Sequence, residues 1–509
     1  MSNEIVGRIS SNTIITANVI YGHTHSNKKI LDQMLSGSSG DMLVSIYDPN
    51  FVNGDAFSVD NHANGTINKV YTLIEQSKLS SIAEGAEINV QSDWDAATGD
   101  AVILNKPTIS SGGGGVASTR FVIGTSTSGW TADDCDYFCD GISDEVEINA
   151  AITALPADGG EVLILDGTYA ITNAIKITSR NNVSIRGNGN ATILKRMYNT
   201  ILIELTTATY CIIKDLQIDG NRATYTDSSN SGIFLYLSDN NTVTGNTSNN
   251  NSYDGIYLKD SNNNTVTGNT SNNNGKGIEL SQSDNSTVTG NTSNNNGNYG
   301  IHLEFADNNT ITGNASNNNG VYGIRLYLSE NSTITANISD NNAYYGIYLK
   351  YIENSTVTGN TSNNNARTGI YLDSFNNSTI TANISNNNSN YGIDLSQSEN
   401  STITANISNN NAREGIYLDR FNNSTITGNT SNNNGDAGIL LDDCNRNTVT
   451  ANNCIRGTGL STDYSATQYT IMVEGTANNY NLISSNQCMG KAVVIEGGTS
   501  NTEVNNKFV

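Results

Sequence analysis

The sequence predicts an all-β chain folded as a single-stranded solenoid, a right-handed parallel β-helix of about 23 residues per coil. Three observations carry this. Two anchors recur ten times between Asn230 and Ala451: the Ile of Gly-Ile at 233, 256, 278, 301, 324, 347, 370, 393, 416 and 439, and the hydrophobe of Thr-Val/Ile-Thr at 243, 266, 288, 311, 334, 357, 380, 403, 426 and 449. In each series every step is 23 except one of 22. Both phrases alternate apolar with polar residues, the strand period of two, and the Asn, Ser and Asp between them have no helical period. A fixed period of this length belongs to units that bury a core only by stacking, here ~4.8 Å apart, so ten coils make a rod of roughly 48 Å.

Composition supports an ordered but unusual interior. Hydrophobic residues are 36 per cent and charged ones 14 per cent of 509, so the polar bulk is uncharged Asn, Ser and Thr. Periodic Ile, Val and Leu set it apart from a disordered low-complexity chain. A net charge of −23 and a pI near 4.4 argue against nucleic acid and against anionic membrane surfaces. No run of eighteen apolar residues occurs, so membrane insertion is not expected, and Met1-Ser-Asn-Glu-Ile has no basic and hydrophobic leader. The Asn-x-Ser/Thr triplets then read as by-products of the repeat. Cysteines 135, 139, 211, 444, 454 and 488 are too sparse for a disulfide framework and are expected to be reduced, with Cys135-x-x-x-Cys139 as a metal half-site alternative.

Residues 1–109 lack the solenoid period. They contain Gly22-His-Thr-His-Ser-Asn-Lys-Lys-Ile-Leu-Asp-Gln33 and Ser92-Asp-Trp-Asp-Ala-Ala-Thr-Gly-Asp-Ala-Val-Ile-Leu-Asn-Lys-Pro-Thr108. Both resemble segments of tail-fibre and other structural proteins of bacterial viruses, near the particle-proximal end. The resemblance implies a tail-attachment region, a homotrimer, other phage tail or baseplate proteins as partners, and a place in the virion after synthesis in the host cytoplasm without a signal peptide. It also implies a reading of His23 and His25. Alternation puts them on one face, so a three-fold axis gathers six imidazoles around a metal such as iron; exposed turn residues are the plainer alternative.

Residues 110–118, with four consecutive glycines, read as a linker. Residues 119–229 open with Asp140-Gly-Ile-Ser-Asp-Glu-Val-Glu-Ile-Asn-Ala-Ala-Ile-Thr-Ala-Leu155, a short amphipathic helix: Ser143 is the expected N-cap, acids fill the first turn, and Ile148, Ile152 and Leu155 line one stripe. Pro156-Ala-Asp-Gly-Gly160 stops it, and strands begin at Glu161-Val-Leu-Ile-Leu and Gly167-Thr-Tyr-Ala-Ile. This order resembles the entry to pectate-lyase-like β-helices, viral tailspikes among them, where the helix plugs the open end. Irregular coils carrying Val183, Ile185, Ile193, Leu194, Ile212, Leu216 and Ile218 lead into the ten regular coils of residues 230–452. In residues 453–509 the period dissolves, and Tyr469-Thr-Ile-Met-Val and Val493-Val-Ile-Glu read as terminal atypical coils.

Within a coil, the Ile and Leu of Gly-Ile-Tyr-Leu-Asp point inward, as does the hydrophobe between the threonines, and the Gly or Ala before the next Asn marks a tight corner. Asn at 246, 269, 291, 314, 337, 360, 383, 406, 429 and 452 forms one stacked ladder, and Asn240 through Asn423 a second that breaks at Arg446. These recurring letters specify the rod, so function is expected in the columns left free. The first outward column reads Phe234, Tyr257, Glu279, His302, Arg325, Tyr348, Tyr371, Asp394, Tyr417, Leu440. The second runs from Tyr236 to Asp442, and a third holds Tyr299, Tyr322, Tyr345 and Tyr391.

Tyrosine beside charged groups suits glycan binding through Tyr257, His302, Arg325, Tyr348, Tyr371, Asp394 and Tyr417, with rings stacking on pyranose faces; the bland reading is that tyrosine favours exposed strands. Two carboxylate pairs have catalytic spacing. Glu279 and Glu304 lie diagonally at about 8 Å, an inverting-glycosidase separation, and Asp419 and Asp442 stack at ~4.8 Å, near the retaining range. Asp284, Asp307, Glu330 and Glu353 stack in a turn column where calcium would relieve their repulsion. No cofactor is otherwise required. The leading expectation is a virion tail-fibre or tailspike-like subunit that binds host cell-surface polysaccharide. The alternative is a polysaccharide depolymerase, glycoside hydrolase or lyase, of the same particle. A remote one comes from the twenty threonines from Thr242 and Thr244 to Thr448 and Thr450, whose two files look like the Thr-x-Thr face of ice-binding solenoids.

Overall fold

The computed structural model describes residues 119–456 and 468–508, with Ile74, Ser77 and Lys78. His23, His25, both tail-fibre-like phrases and the linker 110–118 lie outside the described residues.

The coil Ile301 to Gly323 illustrates how the phrase closes on itself. Ile301, Leu303 and Ile311 are fully buried, and the chain turns at Phe305, Asn308, Gly313 and Asn318, all left-handed, with φ between 52 and 63°. Most L-residues avoid that region and Asn and Gly tolerate it, which is why the corners are rich in both. Successive regular coils pair in parallel without slippage, whereas the entry strands Val183–Arg196 and Ile212–Asp219 shift register between Arg186 and Gly189 and again before Ile193. Sheet A stacks fourteen strands from Ile175–Thr178 to Val494–Glu496. Sheet B stacks Thr-hydrophobe-Thr strands from Thr242–Thr244 to Thr448–Thr450, so the twenty threonines form two half-buried files in register. A third file pairs single residues from Thr247 to Thr430 and on to Asn453.

The interior is apolar only on the sheet A and sheet B sides. Asn314, Ser316 and Asn319 are as buried as Ile311, and each must find partners inside. The Asn246 ladder does this as expected: Asn337 Nδ2 donates to Asn360 Oδ1 and to the Ile311 carbonyl, both at 2.9 Å, and the Asn337 backbone N–H donates to the same Oδ1. It outlasts the repeat, continuing through Asn486 to Asn506. The second ladder is not Asn240 to Asn423. Those residues are left-handed corners, with φ from 51 to 59°, and Arg446 takes the same conformation there. The second amide ladder runs instead from Asn251 to Asn434, and the buried guanidinium of Arg196 donates to Asn251 Oδ1 at its start. Gly-Ile recurs because a Cβ on Gly323 would lie 1.8 Å from Ser339 Oγ.

The capping helix α1 spans Glu145–Ala154 and buries Ile148, Ile152 and Leu155 as its stripe predicts. Ser143 is not its N-cap. Ser143 is left-handed, the helix starts after Asp144, and the Asp144 carboxylate accepts the Gly141 and Ala170 N–H groups, tying α1 to the strand beneath. Two strands precede it, Arg120–Thr125 and Tyr137–Cys139, so the solenoid begins earlier than its first apolar runs announce. Ile193 and Ile212 point outward, while Thr192 and Arg196 take inward positions. All six cysteines are free thiols. Among the described residues no helix is long and apolar enough to cross a membrane.

Asn360→Ala removes two donated bonds and strands the groups that bonded to its Oδ1. We expect it to cost about 2–4 kcal/mol, seen as a lower urea midpoint, with Thr358→Ala on the outer face within about 0.5 kcal/mol. Ala336, Ala382 and Ala405 occupy the left-handed corner that is Gly in other coils. Converting all three to Gly should raise the midpoint, since relieved strain of roughly 1–2 kcal/mol per site exceeds the added chain entropy of about 0.4–1 kcal/mol.

Candidate functional site

The register of sheet A reproduces the predicted outward columns: Tyr257 pairs with Glu279, Glu279 with His302, His302 with Arg325, Arg325 with Tyr348, and so on to Leu440. Outward is not the same as exposed. Glu279, His302 and Asp394 keep only 4, 3 and 5 per cent of their surface. Third-column side chains lie against the first two, Lys276 on Glu279 and Tyr299 on His302.

The tyrosines form a continuous stack along the rod. Tyr299, Tyr322 and Tyr345 stack at 5.3 Å, Tyr322 on Tyr348 at 4.7 Å and Tyr345 on Tyr371 at 4.9 Å, with interplanar angles no larger than 14°. Tyr391 and Tyr417 stack separately at 4.8 Å. The pyranose-stacking expectation needs free ring faces, and here neighbouring rings cover them. The stack therefore offers a ligand ring edges and hydroxyls.

Beside the first tyrosine lies a file of buried charge. Glu279 Oε1 is 3.1 Å from His302 Nδ1, and its Oε2 is 2.5 Å from Lys276 Nζ. His302 Nε2 faces Arg325 Nη1. A guanidinium only donates, so Nε2 carries the lone pair and Nδ1 the proton, donated to Glu279. Burial likewise disfavours the imidazolium, and Arg325 and Lys276 add to that against the pull of Glu279, so His302 sits below its ordinary pKa. Burial pushes the Glu279 carboxyl up, but the His302 bond, the adjacent Asp254 and the Lys276 charge outweigh it and hold it at about 2. Asp254, fully buried, is driven well above the carboxylate range by burial and then by Glu279, and keeps its proton.

The structure brings Glu279, His302 and Glu304 together, with one ligand atom of each within 4.8 Å of the others. The two carboxylates are thus closer than the ~8 Å their backbone positions imply, because both lean toward the imidazole. Both oxygens of Glu279 and both nitrogens of His302 are already engaged, and two cations flank them, so this group does not fit a metal. Asp254 and Lys276 escaped the sequence reading. Their signal was present, since they occupy the third column where later coils carry tyrosine.

Asp419 and Asp442 stand opposite each other as predicted, both tied up. Arg420 Nη2 lies 2.6 Å from Asp419, which also accepts from Ser396 Oγ, and Tyr417 donates to Asp442 at 3.1 Å. In the turn column Asp284 accepts the Asp307 N–H and Asp307 the Glu330 N–H, each at 2.7 Å. Those carboxylates extend an inter-coil ladder that begins with Asp239 and Asn262.

A family model described as the right handed beta helix region matches residues 160–315, 199–360, 283–430 and 351–509. No curated protein matches the chain. Among solved structures, the Azotobacter vinelandii mannuronan C-5 epimerase AlgE6 A-module is similar at 20% identity and a TM-score of 0.49, over 71% of this chain and 96% of that one. The Dettilon tailspike protein is similar at 16% and 0.41, over 71% and 68%. Bacteriophage CBA120 tailspike protein 3 is similar at 12% and 0.41, over 73% and 60%. The family match, which spans residues 160–509, rather than these distant likenesses, shows that the chain is a right-handed β-helix.

His302 is the only histidine among the described residues, and its pKa is lowered in the fold. Its contribution to stability is therefore complete above the unfolded value of about 6.5 and is lost as pH falls toward the folded one. Far-UV melts should show this acid limb in the parent protein and a flatter one in His302→Gln.

Proposed function

We propose, for a chain that belongs to the right-handed beta-helix family, that it is a virion tail-fibre or tailspike-like subunit whose sheet A face binds host surface polysaccharide. In this reading the N-terminal region joins other tail or baseplate proteins, and three copies assemble. The tail-fibre-like phrases support the attachment. The observation that carries glycan recognition is the continuous outer layer of sheet A, in which tyrosine hydroxyls and edges alternate with Lys276, Arg325, Lys350 and buried carboxylates. Seven of the eight Lys and Arg residues between 230 and 452 lie on or beside sheet A strands; Arg446 is the exception. A polar layer on a sheet of this kind gives a sugar chain many shallow hydrogen bonds along the rod.

A second reading, depolymerisation by the same face, is favoured by the Glu279–His302–Arg325 file. A rod needs no buried charge to stack its coils, and an isolated buried charge costs several kcal/mol. Neutral His302 held by an ionised Glu279 is oriented for proton transfer, and Glu304 beside it is a second acid or base. Its proton acceptor is shielded by Arg325, so a substrate group that draws Arg325 aside would free Nε2. The chemistry needs no cofactor. Calcium in the turn column and iron at His23 and His25 stay proposals, read by a chelator-dependent melting temperature.

The test is incubation of the whole protein with capsule or wall polysaccharide of the host. Retention on the polymer is expected, weakened at least tenfold by the paired change Tyr322→Ala and Tyr348→Ala; no retention on any host polymer would sink the reading. If the file is catalytic, His302→Ala should lower release of shorter chains by ~10²–10⁴ while the polymer still binds, and Asp419→Asn should leave release unchanged. Equal release by His302→Ala and parent would remove the file from the chemistry.

A further inference from the structure

Five coils beyond His302, roughly 24 Å along the rod, sheet A carries a separate feature. A cleft of 280 Å³ is walled by Arg413, Glu414, Asp436 and Glu474. Its floor is a hydrophobic cluster outside the coil: Ala437, Leu440 and Met472, packed against Tyr417 and Tyr469. Elsewhere in the array these outward columns hold tyrosine, charged or other polar residues, apart from Phe234 at the opposite end, so an apolar floor here departs from the coils around it.

Glu414 is the anomaly in the wall. It is 3 per cent exposed, and its Oε2 has no hydrogen-bond partner. Arg413 does not relieve it: Nε lies 3.7 Å from Oε2 but 3.3 Å from Asp436, and Nη1 bonds the Tyr391 hydroxyl at 2.5 Å. An unpartnered buried carboxyl costs about 1–3 kcal/mol or more unless something outside the chain completes it.

We propose that this cleft is a second carbohydrate subsite, taking one neutral hexopyranose unit whose hydroxyl bonds Glu414 and whose C–H face rests on Leu440 and Met472. The volume is just below the ~300 Å³ at which small-molecule sites begin, so it suits one ring rather than an oligosaccharide. Charge selects the class. Asp436 and Glu474, joined by Glu414 as it ionises, outnumber the committed guanidinium of Arg413, disfavour a uronate and leave an uncharged sugar. Burial pushes Glu414 up to about 7, against the opposing charge of Arg413, so near neutrality the group both donates and accepts. The inference rests on the reading that sheet A meets glycan, but it concerns a different place on the face and a ligand small enough to test alone.

The experiment titrates the whole protein with the methyl glycosides of glucose, galactose and mannose, and with glucuronic acid, by saturation-transfer NMR. At least one neutral glycoside is expected to bind, and glucuronic acid at least tenfold more weakly. Glu414→Gln, which preserves shape, should keep binding but abolish its decline above pH 7, while Met472→Glu should lose it at least tenfold. Thr358→Ala, on sheet B, should bind as the parent does. Parent-like melting of each variant establishes that the fold is retained. Binding of none of the three glycosides, preference for the uronate, or parent-like binding by Met472→Glu overturns the proposal. Loss of polymer retention with glycoside binding intact would instead overturn only the wider polysaccharide reading.

Discussion

Everything in this rod depends on one constraint: the regular coils fill one side of their interior with Asn and Ser, where the entry coils have Leu194 and Ile218, so buried amides must satisfy one another. Ile, Leu and Val fill the space between sheets A and B, and Asn with Ser fills the rest. An asparagine in a ladder donates twice and accepts twice, which no apolar residue and no shorter polar one reproduces. The arrangement is cooperative along the axis, because each amide is complete only if the coils above and below are in register. It also explains the composition: a chain with 36 per cent hydrophobic residues is ordered because its polar residues form much of its interior.

That interior leaves the outer faces free to differ. Sheet B presents threonine on every regular coil and varies only in the coils at either end. Sheet A repeats only its inward Ile and Leu, and its outward columns change from coil to coil. Two kinds of order result on it. Tyrosines stack on one another along the rod, and where a tyrosine is replaced in the third column, by Asp254, Lys276 or Glu414, buried charge collects. The functional candidates are therefore found at the departures from the phrase, at either end of the tyrosine stack.

Several features were legible before any coordinates. The period fixed the stacking, so Tyr257 had to lie beside Glu279 and Asp419 beside Asp442, and they do. The amide ladder at Asn246 followed from the same arithmetic. The misreadings share a cause. Asn240 and Asn251 look alike in sequence, and only the backbone shows that the first is a left-handed corner and the second an inward ladder member. Ser143 resembles an N-cap by type, yet Asp144 was drawn to a strand N–H twenty-six residues away.

What the sequence by itself determined is therefore the axial order: the coil length, the register and which residues share a column, since these follow from a period and from side chains alternating across a strand. What only the tertiary structure decided is the lateral order: how side chains in neighbouring columns lean. Tyr299 folding over His302, Glu304 turning toward Glu279 and Arg325 capping the imidazole all depend on χ angles chosen by contacts between columns. No periodicity encodes those contacts. They settle whether an outward carboxylate is solvated or buried, and hence whether it does chemistry at all.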